Sequence, residues 1–296
     1  MTKNNPSVTL VIIDGLGIAP LNFPGNVLNE TNAPFWNSLI TSYPVAALSS
    51  PFQGAGNLSE AEVLAKSYLE LGLGGFREIG EESGEKTLGG ILNENNISQL
   101  KVSETYGWSY LTYFLNGKKK FPFSLEHQVL VPSDSYCEGS PKLKLEEIYA
   151  SWLENYKADA PFFSCIYLPL LGFKGFHFSY EEIVDSLKKA DSYLNKVFKK
   201  VMEKDGVMLV LSLHGFLENL YSIQMEELRI IPTASPIPFL IAGKMYEGKN
   251  LGKGDAVSGD LSLLPVTGTL SDIAPTILKI FNLQADAKMA GKSLLS

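Results

Sequence analysis

A carboxylate at the end of a buried strand is the first feature of this chain that could do chemistry. The apolar run Val8-Thr9-Leu10-Val11-Ile12-Ile13 stops at Asp14-Gly15, and parallel sheets offer ligands the carboxyl ends of their strands. Ser59-Glu60-Ala61-Glu62 sets a hydroxyl one helical turn ahead of a carboxylate, the spacing of a capping box. The three histidines differ in setting: His127 precedes a strand, His177 lies between Phe176 and Phe178, and His214 follows the apolar run Val207 to Leu213. Gly15-Leu16-Gly17 lacks the third glycine of a dinucleotide loop. The chain carries no Walker-type loop, no CxxC pair and no Ser-His-Asp order in a supporting context.

Composition narrows the partners. A net charge of −7, with only Arg77 and Arg229 as arginines among 25 basic residues, disfavours nucleic acid. Lys118-Lys119-Lys120 reads as a solvated turn after Gly117. Val8 to Ile13 has neither the basic segment nor the cleavage site of a signal peptide, and no stretch reaches the roughly 18 uninterrupted apolar residues of a membrane span. A cytoplasmic location without a membrane partner is the expectation, with Cys137 and Cys165 as free thiols. With 296 residues, 45 % of them hydrophobic, the chain can fill the core of a single domain over 1–296.

The elements that must position these residues follow from periodicity. Val8 to Ile13, Val45 to Ser49, Leu100 to Ser103, Gln128 to Val131, Phe162 to Tyr167, Val207 to Leu213 and Phe239 to Ala242 read as strands. Helices are predicted from Asn32, as cap, to Ser42, from Ser59 to Leu71, near Trp108 to Leu115, over Lys144 to Tyr156, after the box Ser179-Tyr180-Glu181-Glu182, and from Ser271. Residues 76–98, rich in Gly, Glu and Asn, read as a surface excursion. Strands alternating with helices give an α/β fold, a mostly parallel doubly wound sheet between two helical layers.

Four ordered stretches carry a resemblance. Leu10 to Gly17, Gly56-Asn57-Leu58-Ser59-Glu60, Phe114-Leu115-Asn116-Gly117 before Val131-Pro132-Ser133, and Ser235 to Phe239 leading to Leu270 to Thr276, with the ending Met289 to Leu294, resemble the cofactor-independent phosphoglycerate mutases of the alkaline phosphatase superfamily. The resemblance implies a three-layer α/β/α core. It also implies that the family's inserted, arginine-bearing domain is missing, since Gly75 to Gln99 spans its place.

Carried over residue by residue, the family's two-metal site is mostly replaced. Asp14 matches a carboxylate ligand, and His214 matches the histidine of the family's Asp-His-Gly stretch, whose aspartate is Leu213 here. Pro169 and Phe173 stand for an aspartate and a histidine, Pro232 for the remaining histidine, and Gly107 for the active-site lysine. Ser59 is the candidate nucleophile if Leu58 is an insertion; otherwise it is a helix cap, which its capping box favours. His177 is a spare candidate ligand, and Glu60, Glu62 and Glu218 read as surface charges rather than substitute ligands. No cofactor is expected beyond, at most, one weakly bound divalent metal, manganese or zinc, at Asp14 and His214.

The leading expectation is therefore a non-catalytic relative of the mutases, a pseudoenzyme whose partner is an unidentified protein or small molecule. Two alternatives stand beside it. One is a remodelled metal-dependent phosphatase or phosphotransferase using Ser59 with one metal at Asp14 and His214. The other is a small-molecule binder in the old cleft.

Overall fold

The computed structural model describes residues 6–76, 86–134, 143–157, 161–171, 178–222, 227–228, 230–251 and 259–295. Along the chain run β1 (Ser7–Ile13), α1 (Pro34–Ser42), β2 (Val45–Leu48), α2 (Glu60–Leu73), α3 (Leu88–Glu94), β3 (Ser98–Glu104) and α4 (Thr105–Ser109). Then come β4 (Glu126–Val131), α5 (Leu145–Asn155), β5 (Phe162–Leu168), α6 (Tyr180–Met202) and β6 (Val207–Leu211). The pair β7 (Tyr221–Ser222) and β8 (Glu227–Leu228), then β9 (Ile237–Ala242), β10 (Val266–Gly268) and α7 (Ile273–Ile280) complete the order.

Alternation within β1 shows why the fold has three layers. Val8, Leu10 and Ile12 enter one core with side chains of α2, α3 and α7, whereas Val11 and Ile13 enter another with α1, α5 and α6. A strand buried on both faces must lie inside a sheet covered by helices. The main sheet has eight strands in the order β10-β2-β9-β6-β1-β5-β3-β4. Every pairing in it is parallel except those of β9, which runs against β2 and β6. β1 and β6 are adjacent and central, so Asp14 and His214 leave the sheet side by side.

Several local expectations change. Asn32 does not cap α1; its side chain donates to the Val27 carbonyl, and the capping position is Ala33. The free N–H groups of Phe35 and Trp36 instead donate to the Asp191 carboxylate of α6, at 2.9 and 2.7 Å. The helix expected near Trp108 to Leu115 is a short α4 continued by one π-turn, Tyr110–Phe114. Within 76–98, read as a surface excursion, the second half folds inward: Leu88, Ile91 and Leu92 of α3 are buried. Their spacing supplied the inward face, but the flanking Gly and Asn content masked it.

One polar cluster was not anticipated. Lys101 of β3 is fully buried with its ammonium 3.2 Å from the Glu126 carboxylate, which also accepts from Asn116 and Gln128. Burial lowers the pKa of Lys101 while Glu126 pushes it back up. Cys165 lies near this pair, and burial pushes its thiol up to about 12. Cys137 lies outside the described residues.

Candidate functional site

Three strand ends meet at the carboxyl edge of the sheet. β1 delivers Asp14, β5 delivers Tyr167 and the turn after β6 delivers His214, while Glu104 at the end of β3 shares the opposite sheet face with Val102. The Asp14 and His214 loops are stitched together by backbone bonds, Gly15 N–H to the His214 carbonyl at 2.9 Å and Phe216 N–H to the Gly15 carbonyl at 3.2 Å. Gly15 is required there: its φ is 91°, and a Cβ would fall 2.3 Å from the Phe216 ring.

Asp14 is 8 % exposed, and its two carboxylate oxygens differ. The Tyr167 hydroxyl donates to Oδ2 at 2.7 Å. Oδ1 is buried and receives no hydrogen bond among the described residues. It faces His214 Nε2 at 3.9 Å, too far for a direct hydrogen bond. His214 Nδ1 lies 3.4 Å from the Gly215 carbonyl. Burial raises the pKa of Asp14, against lowering by His214 and Tyr167, and Glu60 adds to the rise. The phenol of Tyr167 is raised well above its usual range, first by burial and then by Asp14, so it stays a donor.

Aromatic rings surround this pair. Phe52 meets His214 edge-on at 5.5 Å between centroids, and Phe216 lies 6.1 Å away on another side. Tyr110 stacks on Tyr68 at 5.4 Å and meets Tyr106 edge-on at 6.1 Å. Burial, then the charges of Glu60 and Asp14, raise the pKa values of Tyr106 and Tyr110. The same shell contains Gly107, where a Cβ would come 2.4 Å from Ser103 Oγ and 2.8 Å from the Tyr167 ring. No side chain fits at 107 while Tyr167 holds Asp14.

The start of α2 approaches the site, because Glu60 is felt by Asp14. Ser59, however, is exposed and serves as the cap of α2: its hydroxyl accepts the Glu62 N–H at 3.3 Å and donates to the Glu62 carboxylate at 2.6 Å. Those bonds to Ser59 lower the pKa of Glu62. The Ser59 hydroxyl is thus engaged in the capping box of α2.

Two sequence readings need correction or completion. Glu218 is not a surface charge: it is 1 % exposed, accepts from Thr233 Oγ1, and lies so close to Gly17 and Gly215 that a Cβ at either would meet its carboxylate within 2.5 Å. His127 lies within β4 and is exposed. His177 and Phe173 lie outside the described residues. Sequence reasoning missed Tyr167, which reads as ordinary core at a strand end, and the Tyr106 and Tyr110 pair, whose four-residue spacing was the available signal.

A pair of catalytic metal ions does not fit the described residues. No group of three or more His, Cys, Asp or Glu converges among them. Leu213 and Pro169, both buried, and Pro232 offer no side-chain lone pair. Glu104 is 4 % exposed with the Ser133 hydroxyl 3.4 Å away, and burial raises its pKa to about 7.

Comparison with known proteins bears on the fold and the family. Phosphoglycerate mutases of the 2,3-bisphosphoglycerate-independent type match at 26 % identity over 213 residues (Anaplasma phagocytophilum, strain HZ) and 27 % over 220 residues (Clostridioides difficile, strain 630). These matches cover 71 and 74 % of this chain but 40 and 41 % of the relatives, so the chain spans well under half the length of the curated relatives it matches. Among solved structures, a protein in the alkaline phosphatase superfamily from Vibrio parahaemolyticus aligns with a TM-score of 0.61 at 16 % identity, covering 100 % of this chain and 71 % of that one. A lipoteichoic acid synthase from Listeria monocytogenes aligns with a TM-score of 0.65 at 11 % identity, covering 99 and 76 %. The fold is thus alkaline-phosphatase-like, and because the metalloenzyme superfamily model matches residues 6–285, the chain belongs to the metalloenzyme superfamily.

Proposed function

We propose that this protein is a non-catalytic member of its superfamily that works by binding. The observation carrying this reading is the Tyr167 hydroxyl on Asp14 Oδ2, packed against Gly107. Two-metal phosphoryl transfer needs ions clamping both the attacking and the leaving oxygen. Here an uncharged donor of the chain itself engages the carboxylate. Ser59 is committed to a helix cap, and Asp14 and Glu60 would repel a phosphate rather than hold it. Asp14 and His214, 3.9 Å apart, could seat at most one weakly held manganese or zinc ion, since hard divalent ions require more oxygen ligands.

The test is turnover of 3-phosphoglycerate and of p-nitrophenyl phosphate by dialysed protein supplied with manganese or zinc. No rate above a protein-free blank is expected. Turnover abolished by Ser59→Ala would overturn the reading.

A further inference from the structure

We propose that the free edge of the main sheet, strand β4, pairs with β4 of a second copy of this chain and makes the protein a two-fold dimer. This does not depend on the reading of the Asp14 site. The sheet ends on β10 at one side and on β4 at the other. A sheet edge presents unpaired N–H and C=O groups, and native proteins blunt it with shortness, bulges, proline or charge. β10 is blunted: it has three residues, and its register against β2 shifts between Val266 and Gly268. β4 is not. Its six residues hold an unbroken register against β3 and include no proline, lysine or arginine. Its one carboxylate, Glu126, is buried against Lys101 rather than turned to the edge.

Backbone geometry identifies which groups are free. Gln99 N–H donates to the Leu125 carbonyl at 2.8 Å. In a parallel ladder of this register the peptide groups of His127, Val129 and Val131 then point toward β3, and those of Gln128 and Leu130 point away from it. Nothing among the described residues bonds these outward groups. Leu130 is 43 % exposed, so the edge is open. An antiparallel copy with its axis at Val129 satisfies it: Gln128 exchanges both backbone bonds with Leu130 of the second copy, and Leu130 with Gln128 of that copy. Val129, only partly covered by the core, then meets its own counterpart across the axis. A second copy fits because the seam opposes no like charges, although each chain carries a net charge of −7. A seam of about 20 Å, the length of so short a strand, lies at the small end of specific interfaces, so the dimer should be weak and concentration-dependent.

The test is sedimentation equilibrium of the full chain across concentration, with a dissociation constant expected on the order of tens of micromolar. Gln128→Pro removes an outward N–H and none from the β3 ladder, and it should weaken the dimer roughly tenfold or more. Leu130→Lys, at an exposed position, should weaken it about as much by placing charge on the edge. Denaturant unfolding verifies that each variant folds, and Leu130→Lys decides alone should Gln128→Pro not fold. Val129→Cys should form a disulfide between copies on mild oxidation, since directly opposed residues of a non-hydrogen-bonded antiparallel pair have Cα atoms about 4.5 Å apart. A dimer of unchanged affinity in the folded variants, or no cross-linking by Val129→Cys, would overturn the proposal. A chain that stays monomeric up to millimolar concentration would overturn it as well and leave the edge to a foreign strand.

Discussion

Two single residues set measurable properties, Tyr167 those of the Asp14 carboxylate and Glu104, outside that site, the pH response of the fold. Tyr167 supplies a hydrogen bond to Asp14 at 2.7 Å inside a buried shell, and removing its hydroxyl leaves Oδ2 without that donor. Tyr167→Phe should cost about 1–2 kcal/mol of stability in denaturant unfolding. The freed carboxylate should at the same time bind manganese more tightly than in the parent protein, measurable by calorimetric titration. Glu104 makes stability depend on pH. Its folded pKa of about 7 lies above the ordinary 4.5, so its contribution is fully present below 4.5 and is lost as pH rises through 7. Glu104→Gln should flatten that part of the stability profile, by on the order of 1–3 kcal/mol between pH 4.5 and 8, in unfolding curves measured across the range.

Among the elements, helix caps join distant parts of the chain. The Asp191 carboxylate closes the start of α1 from α6, and its pKa is raised by burial while the two backbone bonds lower it. Asp191→Ala should destabilise the protein by about 1–2 kcal/mol, read as a lower denaturation midpoint with an unchanged slope. Ser59→Ala should cost about 1 kcal/mol by opening the α2 capping box, and that loss is a structural effect expected whether or not the site binds a ligand. The buried Lys101 and Glu126 pair is held by the pairing of β3 with β4, and its value lies in mutual satisfaction rather than in net attraction.

At the scale of the whole molecule, the described fold is built on apolar packing against both faces of the sheet. Two cores, one on each face, are built from apolar side chains, and among the described residues no ligand group bridges elements that packing does not already join. A chelator should therefore leave the thermal midpoint unchanged, within the roughly 1 °C resolution that a few tenths of a kcal/mol represents. A fall of several degrees on adding chelator, restored by manganese, would show a structural ion and refute this. No helix among the described residues is long and apolar enough to cross a membrane.

The sequence by itself determined the layered architecture and the two capping boxes, which depend on local periodicity, on cap chemistry at fixed offsets, and on strands that must be buried on both faces, while the meeting of Asp14 with His214 was implied by the resemblance to the mutases. Tertiary structure alone decided what surrounds that meeting point. Tyr167, Gly107, Phe52 and Phe216 are far apart in the chain, and whether a tyrosine at a strand end packs as core or donates to a carboxylate depends on which strand lies beside it. The burial of Glu218 was hidden for the same reason: a lone glutamate in a loop reads as solvated until two glycine backbones from different loops leave it a place. Side-chain period is written along the chain, but burial and hydrogen-bond pairing are properties of neighbours in space.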